Sequence, residues 1–176
     1  MTNSDYYIGL ISGTSVDGVD CALVQFEGNQ PKLIASHCEA IDPDLRETIL
    51  QLCSGKNIDL ELLGTTDIAI GQLFAKGVAT LLAKQTVEKS SILAIGSHGQ
   101  TVFHHPVGDT RFSLQMGDPN SIAQRTGITT VADFRRRDMA AGGEGAPLAP
   151  LLHRNCFQSA STDRVVLNVG GIANIT

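Results

Sequence analysis

Residues 6–26, YYIGLISGTSVDGVDCALVQF, set two apolar runs on either side of a short insert of glycine, hydroxyl and carboxylate groups. Ile8, Leu10 and Ile11 before the insert, and Cys21, Leu23 and Val24 after it, have the character of strands that bury, and Gly13 and Gly18 bound the bend. The stretch is therefore expected to be a β-hairpin with a polar tip. Glycine at both ends of that tip lets backbone approach a ligand closely and leaves N–H groups free to face an anion. Thr14 and Ser15 add hydroxyl donors. Asp17 and Asp20 would repel a bare phosphate, so an anion held here must bring a divalent cation, which favours ATP with Mg2+ over a free anion. The competing reading is an ordinary glycine-containing turn, because short glycine motifs recur in unrelated proteins.

The remaining residues supply the context. A chain of 176 residues can bury one good core or most of two small ones. Its 42% apolar and 18% charged fractions are those of a globular protein, and its 18 glycines imply many backbone-mediated turns. The net charge of -5, with Arg135, Arg136 and Arg137 as the one basic cluster, excludes a nucleic-acid surface. Cys21, Cys38, Cys53 and Cys156 are irregularly spaced without a C-x-x-C, so they read as reduced, buried thiols. MTNSDYY lacks the pattern of a secretory signal, and no apolar run approaches the roughly 20 residues of a membrane helix. A cytoplasmic location without membrane contact is the expectation.

Along the chain, Pro31 to Ile41 reads as a third antiparallel strand. Asp42-Pro43 starts a short helix that Gly55 stops, with Leu45, Ile49 and Leu52 on one face. Leu63, Ile70, Phe74, Val78 and Leu81 keep helical spacing from Asp59 to about Val87, and the glycines among them suit close packing against a sheet. Ile92 to Ile95 reads as a buried strand ending in GSHGQTVFHH. Phe112 to Met116 is a strand or hairpin arm, Asp118-Pro119 opens a helix that ends at Gly127, and Ile128 to Phe134 is a strand. RRRDMAAGGEGAPLAP reads as a loop or hinge between subdomains. VVLNVGGIANIT, near Thr176, repeats the plan of the opening hairpin, and a chain ending inside a strand is expected to be a fragment of a longer protein.

This order of elements resembles half of the actin, hexokinase and Hsp70 superfamily, in which two related domains clamp ATP between paired hairpins. Four motifs narrow the likeness: GTSVDGVD at 13–20, IGSHGQT at 95–101, ADFRRRDMAAGGEGAPL at 132–148 and NVGGIANIT at 168–176. Together they resemble the amino-terminal half of the anhydro-N-acetylmuramic acid kinase family. The fold implied is α/β: an actin-like ATPase (ribonuclease H-like) domain at 1–134, with a mixed sheet, three initial antiparallel strands and flanking helices. A hinge and connecting segment at 135–163 and the first hairpin of a second such domain at 164–176 would follow.

The activity implied is ATP-dependent conversion of 1,6-anhydro-N-acetylmuramic acid to N-acetylmuramic acid 6-phosphate in peptidoglycan recycling. By the resemblance, Gly13, Thr14, Ser15, Val16, Asp17, Gly18, Val19 and Asp20 bind ATP. Gly170, Gly171 and Asn174 form the second hairpin site, and His98, Arg137 and Asp138 contact the sugar. His98 has the alternative of packing its loop, Arg137 and Asp138 of a surface ion pair, and Arg135 and Arg136 are expected to be solvated. The wider superfamily has an aspartate in a D-x-G-T pattern where this chain has Ile11, so Asp17 or Asp20 would hold Mg2+ instead. The family's catalytic aspartate is expected in an FDxGPGN-type motif beyond Thr176, leaving this chain inactive alone. A non-catalytic nucleotide- or sugar-binding module that needs its missing half is the main alternative, and a sugar hydrolase using Asp133 and Asp138 is a third. A homodimer through strand edges is the expected assembly, if any.

Overall fold

The computed structural model describes residues 5–169 and 173–176. The opening run is a hairpin: β1 (Tyr6–Ser12) pairs antiparallel with β2 (Gly18–Glu27) in unbroken register from Tyr6 opposite Gln25 to Ser12 opposite Val19. β3 (Gln30–Ala40) continues the meander. α1 (Pro43–Ser54) and α2 (Leu60–Ala83) follow, then the long β4 (Ile92–His105), which lies parallel to β1. β5 (Phe112–Met116) folds back on the upper half of β4, α3 (Pro119–Thr126) follows, and β6 (Thr130–Val131) pairs parallel with the lower half of β4. The sheet order is β3-β2-β1-β4-β5, with β6 also on β4. It is a mixed sheet with flanking helices that begins with three antiparallel strands.

Period-two alternation explains the core. Ile8 and Leu10 of β1, Val19, Cys21 and Leu23 of β2 and Ile95 of β4 are buried, and α2 lays Ile70, Phe74, Val78 and Leu81 against them. The Asp-Pro starts hold: Asp42 and Asp118 accept hydrogen bonds from the first backbone N–H groups of α1 and α3. Gly55 and Gly127 close those helices in the left-handed conformation. Of the α2 glycines, Gly77 meets the sheet, where a Cβ would stand 2.7 Å from the Cys21 sulfur, whereas Gly64 has open space.

Four expectations are corrected. β4 runs ten residues past Ile95, because β1 and β5 supply ladder partners to a stretch whose polar composition hid it. Only Thr130 and Val131 of the 128–134 run join the sheet, and Phe134 opens a helix, α4 (Phe134–Ala140), with its ring 3.5 Å from where a Gly96 Cβ would be. The expected loop at 135–150 instead holds most of α4, and α5 (Ala149–Phe157) starts at its last two residues. Of the four cysteines only Cys21 is buried, which pushes its thiol up to about 12, while Cys38 and Cys53 are exposed. β7 (Leu167–Val169) and β8 (Ala173–Ile175) form a separate two-stranded antiparallel sheet.

Glu39 on β3 is the charged residue buried under α2. Its carboxylate accepts from Lys76 at 2.7 Å, His37 at 3.0 Å and Thr80 at 3.1 Å, which hold it down to about 2. Because the folded value lies below the ordinary 4.5, the stabilisation is complete above pH 4.5 and is lost as pH falls toward 2. Lys76 is mostly exposed and water screens its share, so Glu39→Gln should cost about 1–2 kcal/mol at pH 7. Chemical denaturation at pH 7 and pH 3 checks this: the difference between wild type and variant should shrink at the lower pH.

Candidate functional site

The β1–β2 tip is held from three sides. The Val16 N–H donates to the Gly13 carbonyl at 3.2 Å, and Val16, at φ 50°, inserts its side chain into the core. Arg46 of α1 donates to the Ser15 carbonyl at 3.2 Å. At the base, Ser12 donates to Gln100 at 2.6 Å, a fully buried polar pair that fixes the hairpin to β4. Gln100 is thereby committed to structure.

Of the eight residues expected to meet ATP, Gly13, Thr14, Ser15, Asp17 and Asp20 are exposed. Val16, Gly18 and Val19 are buried, so their side of any contact is confined to backbone. The Ser15 hydroxyl donates to the Asp17 carboxylate at 2.7 Å and holds it below the usual carboxylate range. Asp20 stands directly across the ladder from Ile11. Cross-strand partners share one face of a sheet, so Asp20 presents its carboxylate beside the position that Ile11 leaves without one.

Arg135 departs from the expectation of a solvated side chain, whereas Arg136 is exposed. Arg135 is half-buried, and its Nε donates to His98 Nε2 at 2.9 Å. His98 Nδ1 lies 3.0 Å from the Gly99 carbonyl, so the bonded tautomer carries its proton on Nδ1 and accepts at Nε2. Burial, aided by the Arg135 charge and opposed by the Gly99 bond, holds the imidazole below its ordinary 6.5. Stability from the neutral ring is therefore complete above pH 6.5 and is lost as pH falls through the folded value. A proton NMR titration should place the His98 midpoint below 6.5, and Arg135→Met should move it upward.

Arg137 is exposed and forms no ion pair among the described residues. Asp138 turns its carboxylate into its own loop, accepting from the Gly145 N–H at 2.8 Å. Arg136 is taken up by Asp133, with two hydrogen bonds between guanidinium and carboxylate. Gly170 and Gly171 lie outside the described residues; Asn174 is exposed opposite Asn168 in the β7–β8 ladder.

Beside His98 a cavity of about 290 Å³ opens where β4 and β6 part, bounded by the start of α2, β5 and the β6–α4 turn. It lies at the carboxyl end of β6, alongside the middle of β4. Gly99, at φ 80°, permits the walls to meet, since a Cβ there would lie 2.6 Å from the Met116 carbonyl oxygen. Asp67 lines the cavity and accepts from the Gly117 N–H at 2.6 Å, while burial pushes its carboxyl up. Sequence reasoning passed over Asp67, although a carboxylate four residues after Leu63 and three before Ile70 interrupts an apolar helix stripe and was a legible signal. Nothing local signalled the Arg135 to His98 contact, which joins two segments 37 residues apart.

A family model described as anhydro-N-acetylmuramic acid kinase matches residues 5–176. The chain is 52% identical over 174 residues to the anhydro-N-acetylmuramic acid kinase of Shewanella pealeana, and 55% identical over 174 residues to that of Shewanella sp. strain ANA-3. A third, from Shewanella baltica strain OS185, is 54% identical over 171 residues. The first two alignments take in 99% of this chain and 47% of the relative, the third 97% and 46%. The chain thus spans about half the length of the curated relatives it matches.

Proposed function

The chain belongs to the anhydro-N-acetylmuramic acid kinase family, and on that premise we propose that it carries the nucleotide hairpin and part of the sugar site of a cytoplasmic kinase. The enzyme would use ATP to convert 1,6-anhydro-N-acetylmuramic acid to N-acetylmuramic acid 6-phosphate in peptidoglycan recycling. Water adds at the anomeric carbon, the anhydro bridge opens, and the freed 6-oxygen takes the γ-phosphoryl group.

The observation that carries the reading is the solvent-facing tip at 13–17 with Asp20 opposite Ile11. Its backbone N–H groups suit an anionic nucleotide tail, and its carboxylates suit a hydrated cation. Mg2+ is an ion commonly held by one or two carboxylates plus phosphate, which the carboxylates at the tip could supply. Bound Mg2+ would neutralise phosphate charge. Asp20 is the residue we assign to hold its water, because Asp17 is engaged by Ser15. Thr14 and Ser15 would orient the tail, and His98, Arg137 and Asp138 would meet the sugar, with Gly170, Gly171 and Asn174 forming the facing hairpin.

Three antiparallel strands followed by the parallel β4 and β6 support an actin-like, ribonuclease H-like domain over 1–134, a connection over 135–163 and a second domain starting at 164. No described helix is long and apolar enough to cross a membrane. A homodimer would use the outer edges of β3 or β5, the two ends of the sheet path.

The test uses a chain of the relatives' full length. ADP release that depends on the anhydrosugar, and a large rise in the KM for ATP-Mg in Asp20→Asn, are the expected results. Sugar-independent ADP release, or an unchanged nucleotide KM in that variant, would overturn the assignment.

A further inference from the structure

Between Ser97 and Gln100, β4 carries one residue more than β1 can match. Leu10 stands opposite Ser97, but Ser12 stands opposite Gln100, so two steps along β1 meet three along β4. The excess is taken up as a bulge at His98 and Gly99, which Gly99 turns at φ 80°. In a regular ladder Ser12 would face Gly99, and the Gln100 side chain would point to the other side of the sheet. The bulge instead brings Gln100 against Ser12, whose hydroxyl donates to its Oε1 at 2.6 Å. Both residues are buried, at 3% exposure for Ser12 and 1% for Gln100, and the Gln100 amide also donates to the Thr101 carbonyl at 3.1 Å.

Among the described residues this is the one side-chain hydrogen bond that joins β1 to β4. Its neighbours add nothing similar: Ser97 Oγ and Gln115 Oε1 are buried without a partner among the described residues. Stability does not call for a polar pair here, because an apolar pair of the same shape avoids the cost of desolvating a hydroxyl and an amide. What the hydrogen bond adds is direction. Ser12 ends β1 and precedes Gly13, the first residue of the hairpin tip, while Gln100 closes the bulge that carries His98. The bond therefore spans the interval between two groups that must meet during phosphoryl transfer. We propose that Ser12 and Gln100 are positioning residues: their buried bond locks the β4 bulge to the base of the hairpin, and so sets the distance from the phosphate at the tip to the sugar beside His98. The assignment rests on the kinase reading above.

The test uses Ser12→Ala, Gln100→Met and the two together, in a chain of the relatives' full length. Each single change leaves one buried polar group unpaired and should lower the melting temperature, whereas the double change removes both groups and should recover most of the loss. Turnover should not recover with it. Because a shift of about 1 Å between reacting groups can cost about a hundredfold, kcat should fall by about 10- to 100-fold in all three, with the KM for ATP-Mg and for the anhydrosugar changed less than about threefold. A double variant with melting temperature and kcat both restored would make the pair purely structural and overturn the proposal. A loss carried by KM alone would do the same. The lock also has a readout without turnover: the His98 ring resonances should shift in the double variant, and an unchanged ring spectrum would count against the proposal as decisively. A wild-type enzyme that releases no ADP with the anhydrosugar would remove the kinase reading itself, and the positioning role with it.

Discussion

Alanine at position 71 is expected to destabilise the protein by about 2–4 kcal/mol, although glycine to alanine within a helix ordinarily stabilises by about 1 kcal/mol. Gly71 lies in the middle of α2, where it meets the turn into α3. Its added Cβ would stand 2.7 Å from the carbonyl oxygen and 3.0 Å from the nitrogen of Asp118. Both atoms are backbone, so no side chain can swing aside. Asp118 is also tied to α2 by a hydrogen bond from its N–H to the Asp67 carbonyl at 3.2 Å, and it caps α3 through its carboxylate. Separating the two helices would strain the bond and the cap together. Thermal unfolding should show a fall of about 5–15 °C for a chain of this size. Gly64→Ala, on the same helix with nothing within 4 Å, should raise the melting temperature. If both variants were stabilised alike, the close approach of α2 to α3 would be wrong.

Gly99→Ala should cost about 3 kcal/mol or more, because two penalties coincide. At φ 80° the backbone sits in the left-handed region that an L side chain enters at a cost, and the Cβ would lie 2.6 Å from the Met116 carbonyl oxygen. The irregular register of β4 between Ser97 and Gln100 would have to reform, moving the carbonyl that receives the His98 proton. Loss of stability should therefore come with a further fall in the His98 midpoint, because the Gly99 bond that holds it up is lost, and with weaker sugar binding. Gly28 separates the penalties: it shares a positive φ of 63° but has open space, so Gly28→Ala should cost only about 1 kcal/mol. Denaturant unfolding of the two variants measures the steric part as their difference.

How far the sequence carried depended on how local each cause was. Ile8, Leu10, Cys21 and Leu23 alternate with exposed positions around a glycine-bounded tip, so the hairpin was legible, and Asp42-Pro43 with Gly55 marked both ends of α1. α4 and the start of α5 were not, because Phe134 read as the end of a strand and the glycines and prolines of 135–150 as a loop. α4 exists there because Phe134 finds Gly96 on β4, a glycine without a side chain to block the ring. The candidate site divides in the same way. Thr14, Ser15, Asp17 and Asp20 stood out as a polar insert between apolar strands, whereas Ser97 and Gln115 drew no notice, since an unsatisfied hydroxyl becomes visible only when every neighbour is placed.

By itself, then, the sequence determined the first three strands, the capped helices α1 and α3, the hairpin tip and the family, all of which are written in periodicity, caps and short motifs. Tertiary structure alone decided that Asp20 faces the place Ile11 leaves empty of charge, that Arg135 reaches His98, and that a cavity opens between β4 and β6. Each of these depends on register or on contact between distant segments, and burial, not composition, sets the hydrogen-bonding and charge of the groups involved.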